Sequence, residues 1–274
     1  MASHEVSLLQ ESDDHPNVIR YFCKESHENF QYIALELCPT SLFELIDTPQ
    51  AFPSIIANFD ATKALKQMTR GLAHLHKLKI IHRDLKPQNI LVATSPGKKP
   101  SDGPVVRMVI SDFGLCKKLD LDESSFLQSV RGGGNHAPGS FGYRAPEVLR
   151  GEVDADDLIN NNNGESNGSG SGGENGKEEN SIGSRSTSTS STATVAIGAK
   201  GGRKLTRAID IFSLGCVFYF VLTMGDHPFG SRYEREINIL NDKIGLDGLS
   251  VMTEGRYEAQ ELIRHMCASD PRVR

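Results

Sequence analysis

Nine consecutive residues, Ile81-His82-Arg83-Asp84-Leu85-Lys86-Pro87-Gln88-Asn89, carry the densest chemistry in this chain, and Asp112-Phe113-Gly114 begins 23 residues after Asn89. A carboxylate, an ammonium, a carboxamide and a second carboxylate, in that order, suit the transfer of a phosphoryl group. In that reaction a protein supplies positioning and charge neutralisation and does little covalent work. Asp84 would accept or orient the proton of an attacking hydroxyl, and Lys86 would sit near the transferred phosphate. Asn89 and Asp112 would hold Mg²⁺ through hard oxygen ligands. Either triplet alone, His-Arg-Asp or Asp-Phe-Gly, arises by chance in soluble proteins. The two together, in order and at this spacing, form a specific signature. Reading Asp84 and Asp112 as ordinary loop carboxylates leaves the rest of that signature unexplained.

These groups need rigid supports. Leu65, Met68, Leu72 and Leu75 recur at helical spacing behind Asp60, a helix N-cap, and this long helix delivers the chain to His82. Ile90-Leu91-Val92 and Met108-Val109-Ile110 read as paired strands around a polar turn over residues 95–104, so both chemical loops hang from one hairpin. Upstream, Val6, Leu8 and Leu9 mark a helix that ends near Ser12, before Asp13-Asp14-His15-Pro16. Residues 18–23 and 31–37 read as two strands turning at residues 26–29, with Pro39 closing the second, and residues 41–46 form a small helix. Downstream, residues 208–223 form an almost wholly apolar helix, followed by helices over 234–241 and 259–268.

The bulk properties are those of an ordinary globular chain. Its 274 residues are 38% hydrophobic, enough for a substantial core, and 30 basic against 35 acidic residues give a net charge of -5. That balance excludes an overall basic nucleic-acid-binding surface. The five cysteines, Cys23, Cys38, Cys116, Cys216 and Cys267, lie far apart with no C-x-x-C pair, as expected of reduced thiols. The longest apolar run, residues 211–222, is about half the ~20 residues of a membrane span. Between residues 160 and 192, 26 of 33 residues are Asn, Gly, Ser or Thr, which cannot bury enough surface to offset ordering. Residues 154–202 are therefore expected to be a disordered insertion.

Further motifs fall into the same order as those of protein kinases. Lys86, two positions after Asp84, resembles the serine/threonine class. Gly139-Ser140-Phe141-Gly142-Tyr143-Arg144-Ala145-Pro146-Glu147 resembles the close of the kinase activation segment, with Ser140 where the family has Thr or Ser. The loop before it holds Ser124, Ser125 and Ser129 amid Asp120, Asp122, Glu123 and Arg131, and a phosphate there would pair with Arg83 and order the segment. Plain exposed serines are an equal alternative for each. Asp210, ahead of Ser213-Leu214-Gly215, resembles the residue that braces the His-Arg-Asp backbone, where the simpler reading is a helix cap. Arg274, ending Asp270-Pro271-Arg272-Val273-Arg274, resembles the arginine that pairs with the glutamate of Ala-Pro-Glu, here Glu147. Leu35, Glu36 and Cys38 stand at the gatekeeper and hinge, where the backbone of Glu36 and Cys38 would bond adenine. Leu91 joins them in the nucleotide site. His82 reads as a structural residue beneath Phe113, and Cys116 as a packing residue.

More closely, the chain resembles the inositol-requiring sensor kinase and endoribonuclease family of the unfolded-protein response. The words that carry this are His15-Pro16-Asn17-Val18-Ile19-Arg20-Tyr21-Phe22, Gln31-Tyr32-Ile33-Ala34-Leu35-Glu36-Leu37-Cys38, Ser111-Asp112-Phe113-Gly114-Leu115-Cys116-Lys117-Lys118 and Asp210-Ile211-Phe212-Ser213-Leu214-Gly215-Cys216-Val217-Phe218-Tyr219. The polar insertion is similar to that of fungal members. The resemblance implies an α+β protein-kinase-like fold, ATP with Mg²⁺, self-association with phosphorylation between copies, and a parent at the cytosolic face of the endoplasmic reticulum. RNA and membrane would be partners only through domains outside this sequence. Glu5 matches the glutamate of the regulatory helix, but no Gly-x-Gly-x-x-Gly loop or Val-Ala-x-Lys strand precedes it. The sequence thus reads as a fragment: residues 1–38 a partial N-lobe, 39–153 a C-lobe, 154–202 the insertion and 203–274 the C-lobe resumed. A truncated, catalytically inactive nucleotide-gated scaffold or oligomerisation piece is the alternative.

Overall fold

The computed structural model describes residues 2–28, 30–97, 99, 103–119, 139–151 and 206–274; the insertion expected at 154–202 and Ser124, Ser125 and Ser129 lie outside them. Helix α1 (Ala2–Ser12) seats Val6, Leu8 and Leu9 in the core, all at most 3% exposed. A turn through His15 leads to strands β1 (Tyr21–His27) and β2 (Phe30–Leu35), which pair antiparallel with a bulge between Tyr21 and Cys23. The first strand thus begins three residues later than its apolar pattern suggests. Val18 is claimed instead by a parallel bridge to Ile110, with Ile19 N–H donating to Ile110 O and Ile110 N–H to Asn17 O. This β1–β2 ribbon stays open to solvent, with Phe22, Phe30 and Tyr32 each more than half exposed.

Strand β3 (Thr40–Ser41) enters α2 (Leu42–Asp47) through a capping box: Ser41 Oγ accepts from Glu44 N–H while the Glu44 carboxylate accepts from Ser41 N–H. After α3 (Pro53–Ile56), Asp60 caps α4 (Ala61–Lys77) by accepting from Lys63 N–H at 3.0 Å. Its buried face is Ala64, Met68, Gly71, Leu72 and Leu75. At Gly71 a Cβ would lie 2.5 Å from the Asn17 carbonyl oxygen, so only glycine lets the loop after α1 sit against this helix. Strand β4 (Ile80–Ile81) is followed by β5 (Ile90–Ser95) and β6 (Val105–Ile110), the expected hairpin, which builds a three-stranded sheet in the order β3-β5-β6. Strand β7 (Lys117–Lys118) pairs antiparallel with β4.

The remaining elements are helical: α5 (Pro146–Leu149), α6 (Ala208–Leu222), α7 (Arg235–Leu240) and α8 (Arg256–Met266). Helix α6 is buried on all sides, as its apolar sequence demands. Phe212, with no exposed surface, stacks on Phe229 at 5.6 Å. Burial of such a side chain contributes about 2–3 kcal/mol, so α6 anchors everything packed around it. Helix α8 starts three residues ahead of the expected 259, directly after Gly255 in the left-handed region. Among the described residues no helix is long and apolar enough to cross a membrane.

Candidate active site

The strand register brings the two chemical loops together. Ile90 pairs with Ile110, and beyond that pair Ser111 N–H and Oγ both donate to Asn89 O, at 2.9 and 3.0 Å. Asn89 and Asp112 therefore emerge side by side from adjacent strand ends.

Asp210 holds the loop before β5 from below. Fully buried, it accepts from His82 N–H (Oδ2, 2.8 Å) and Arg83 N–H (Oδ1, 2.8 Å), and His76 Nε2 lies 2.8 Å from Oδ2. It makes no cap bond to α6, whose N-cap is Arg207. The bracing matters because Arg83 adopts φ 67, a left-handed conformation that costs a non-glycine residue about 1–3 kcal/mol unless its surroundings hold it. Asp112 shares this conformation at φ 65, which an Asp tolerates better. His82 is buried edge-on to Phe113 at 5.8 Å; its Nδ1 accepts from Asp84 N–H, leaving Nε2–H to donate to Ser111 O at 2.9 Å. It is a structural pin between the loops.

The two oxygens of Asp84 have different surroundings. Oδ2 accepts from Lys86 Nζ at 2.8 Å and from Asn89 Nδ2 at 3.0 Å, whereas buried Oδ1 has no partner among the described residues. A carboxylate oxygen buried without a donor costs free energy, and a hydroxyl donor placed there would offset that cost. Lys86 Nζ also donates to Ser140 Oγ at 2.6 Å, tying the 139–147 segment to the catalytic loop. Asn89 spends its amide N–H groups on Asp84 O (2.8 Å) and Oδ2, which leaves its carbonyl oxygen for a cation. Asp112 is exposed, with one weak bond from Gly114 N–H at 3.4 Å. Among the described residues no cluster of three or more His, Cys, Asp or Glu forms a metal cage. Two hard oxygen donors fit a divalent cation that takes its other ligands from nucleotide phosphates.

The other expected residues are spread over the fold. At the hinge, Glu36 N–H donates to Arg20 O and its carboxylate pairs with Arg107, while Cys38 is half-buried. Burial, with the Glu36 carboxylate adding, pushes the Cys38 thiol up to about 11, so it stays protonated at neutral pH. Leu91, partly buried on β5, pairs with Val109 on one side and Ser41 on the other. Glu5 lies partly buried in the first turn of α1, and Glu11 of the same helix meets Lys118 at 2.7 Å, so α1 touches the strand that follows Asp112-Phe113-Gly114. Arg274 Nη2 donates to Glu147 Oε2 at 2.6 Å, both side chains being almost wholly buried, and its guanidinium lies over Phe212. Burial raises the Cys116 thiol well above its ordinary range, as befits a packing residue.

Three contacts had no assigned role in the sequence: Ser140 on Lys86, His76 on Asp210, and Ser213 Oγ donating to Tyr143 O at 2.7 Å. The serines stand inside recognisable motifs and were within reach of that reasoning. His76 sits on the polar side of an amphipathic helix, where nothing local distinguishes a partner from a solvated residue.

A loop whose carboxylate suits a hydroxyl donor, a second loop with oxygen donors suited to a cation and a helical core beneath have the arrangement of a protein kinase, and the protein kinase domain family matches residues 1–158: the chain belongs to that family. Domains of that family in general take ATP with a divalent metal. Along its whole length it is similar to the serine/threonine-protein kinase/endoribonuclease ireA of Aspergillus fumigatus, 47% identical over 277 residues. It is likewise similar to the sensor for unfolded proteins in the ER ire1 of Schizosaccharomyces pombe (39% over 276) and to the human serine/threonine-protein kinase/endoribonuclease IRE2 (37% over 274). The chain spans about a fifth of the length of these relatives, 21%, 22% and 23% respectively. The expected α+β kinase fold and the resemblance to the unfolded-protein sensor kinases are both met.

Proposed function

We propose that this chain transfers the γ-phosphate of MgATP to serine or threonine hydroxyls, above all on a second copy of itself, within an unfolded-protein sensor associated with the endoplasmic reticulum. In this reading Asp84 Oδ1 receives the acceptor hydroxyl, Lys86 neutralises the phosphoryl oxygens, and Asn89 and Asp112 hold Mg²⁺, which supplies charge neutralisation when bound. Adenine bonds to the backbone of Glu36 and Cys38 beside Leu91. Residues 1–38 belong to the smaller lobe, residues 39–153 and 203–274 to the larger, and Glu5 with Arg83 and the phosphorylated Ser124, Ser125 or Ser129 governs activity. Asp210 and the Glu147–Arg274 pair are structural. The observation that carries the reading is the division of Asp84 into one oxygen bonded to Lys86 and Asn89 and one buried with no partner among the described residues. The RNA-cleaving output of the parent rests on the names of the relatives alone, and the cytosolic placement on the sequence resemblance.

The test mixes tagged wild-type chain with an untagged D84N copy under labelled MgATP. Label on the D84N copy, lost when Mg²⁺ is chelated, supports the proposal. MgATP binding with no label on either copy would favour the nucleotide-gated scaffold.

A further inference from the structure

A cleft of about 540 Å³ opens around α7 and the end of α6, with Tyr219, His227, Phe229, Arg235, Lys243 and Asp247 in its lining. Arg235 connects it to the catalytic centre. Gly142 has φ +82, and a Cβ there would come within 2.7 Å of Arg235 Cδ, so the glycine both makes the turn and lets the Arg235 side chain lie against it. Two residues back, Ser140 Oγ stands 2.6 Å from Lys86 Nζ, which stands 2.8 Å from Asp84 Oδ2. The Arg235 side chain thus packs on a glycine two residues along the chain from the serine that touches Lys86.

The cleft carries charges of both signs, Arg235 and Lys243 with Asp226 and Asp247. Arg235 spends Nε on Gly230 O at 3.2 Å, and its terminal nitrogens are the part of the fork suited to a carboxylate. At this end His227 is buried against Tyr143 and held neutral by burial and by Arg235 itself, so it does not compete as a cation at neutral pH. Lys243 also lines the cleft, Asp226 and Asp247 lie in its lining and act on Tyr219, and the Glu234 carboxylate stands beside Gly230, to which Arg235 Nε donates. Phe141, 45% exposed, adds an apolar surface next to Ser140. The chain itself carries the complement: Asp120, Asp122 and Glu123 stand immediately before Ser124 and Ser125, and Phe126 and Leu127 immediately after.

We propose that the Arg235 end of this cleft is a docking subsite for the acidic 120–123 stretch of a second copy, so that Arg235 selects acceptor serines preceded by carboxylates. The proposal rests on phosphorylation between copies and names the residue that recognises the acceptor. Its electrostatic character follows from geometry, since the positive charge sits beside the segment that contacts Lys86 and the acids sit beside the serines.

The experiment reads binding without nucleotide, so that it stands apart from catalysis. A fluorescent peptide of residues 117–131 is titrated into the 274-residue chain by anisotropy, beside a peptide in which Asp120, Asp122 and Glu123 become Asn, Asn and Gln. The neutralised peptide should bind at least about fivefold more weakly, the scale of a well-formed ion pair at a partly exposed site. R235Q should erase the difference between the peptides, and R235E should bind a peptide with Lys at the three acidic positions better than the native one. Equal binding of native and neutralised peptides overturns the proposal, and that comparison needs no altered protein. A difference that survives R235Q overturns it too. A scrambled peptide of equal charge binding as tightly as the native one overturns the assignment to the second copy's segment.

Discussion

Replacing Asp210 with Asn tests the platform beneath the catalytic loop. The wild-type carboxylate has no exposed surface and receives three nitrogen contacts at 2.8 Å, from His82 N–H, Arg83 N–H and His76 Nε2. An Asn keeps one acceptor oxygen and turns an NH₂ toward at least one of those donors. It removes the negative charge from the bonds that remain and leaves one backbone N–H buried and unpaired. Bonds to a charged group contribute ~1.5–3 kcal/mol each, and an orphaned buried donor costs ~1–3. The expected loss is therefore about 3–4 kcal/mol, a large share of the ~5–15 kcal/mol that holds a domain together. With a urea slope of about 2 kcal/mol/M, the unfolding midpoint should fall by roughly 1.5–2 M. Were Asp210 no more than a helix cap, the loss would be ~1 kcal/mol, or roughly 0.5 M. Equilibrium urea unfolding followed by far-UV circular dichroism separates the two outcomes. A midpoint shift under about 0.5 M would refute the bracing argument, because Arg83 at φ 67 would then be held by something else.

Three further outcomes follow from the same geometry. Gly71→Ala gains ~1 kcal/mol of helix propensity but drives a Cβ to 2.5 Å from the backbone oxygen of Asn17, which cannot rotate away; the clash wins, and thermal unfolding should come about 5 °C earlier. Burial lowers the pKa of His227 from 6.5 to about 3, so the unfolded chain binds a proton below pH 6.5 that the folded chain refuses. Stability should therefore fall with pH, by about 2 kcal/mol from pH 7 to pH 5 and further toward pH 3. His227→Asn, which keeps an acceptor for Phe229 N–H, should flatten that slope in urea titrations. Ser140→Ala removes the hydroxyl 2.6 Å from Lys86 and should lower kcat for peptide phosphorylation by about tenfold, while Ser140→Thr retains it; equal rates in all three would show that the contact is incidental.

Local chemistry made the core of the site legible. Asp84, Lys86, Asn89 and Asp112 stand in fixed order on short loops between elements with clear period, and the Ile90–Ile110 pairing follows from two apolar runs around a turn. The α4 start was legible because Asp60 announces it. The start of β1 was not: Val18 has a strand's character, but its backbone neighbours are engaged by Ile110, some 90 residues on, and no local pattern records such a pairing. The contact of His76 with Asp210 and the packing of Arg235 on Gly142 are hidden for the same reason, since both depend on how distant elements stack. The open Oδ1 of Asp84 is a property of rotamers and partners that only coordinates supply.

In the proposed reading the acceptor hydroxyl docks at Asp84 Oδ1, which has no partner among the described residues. A single-turnover measurement of phosphate transfer to a serine peptide by D84N, run beside a titration of MgATP binding, tests it most directly. The transfer rate should be ~10²–10⁴-fold lower, the range of a general acid/base contribution, with nucleotide affinity within about threefold of wild type. Transfer at the wild-type rate, or a loss matched by an equal loss of nucleotide binding, would contradict it.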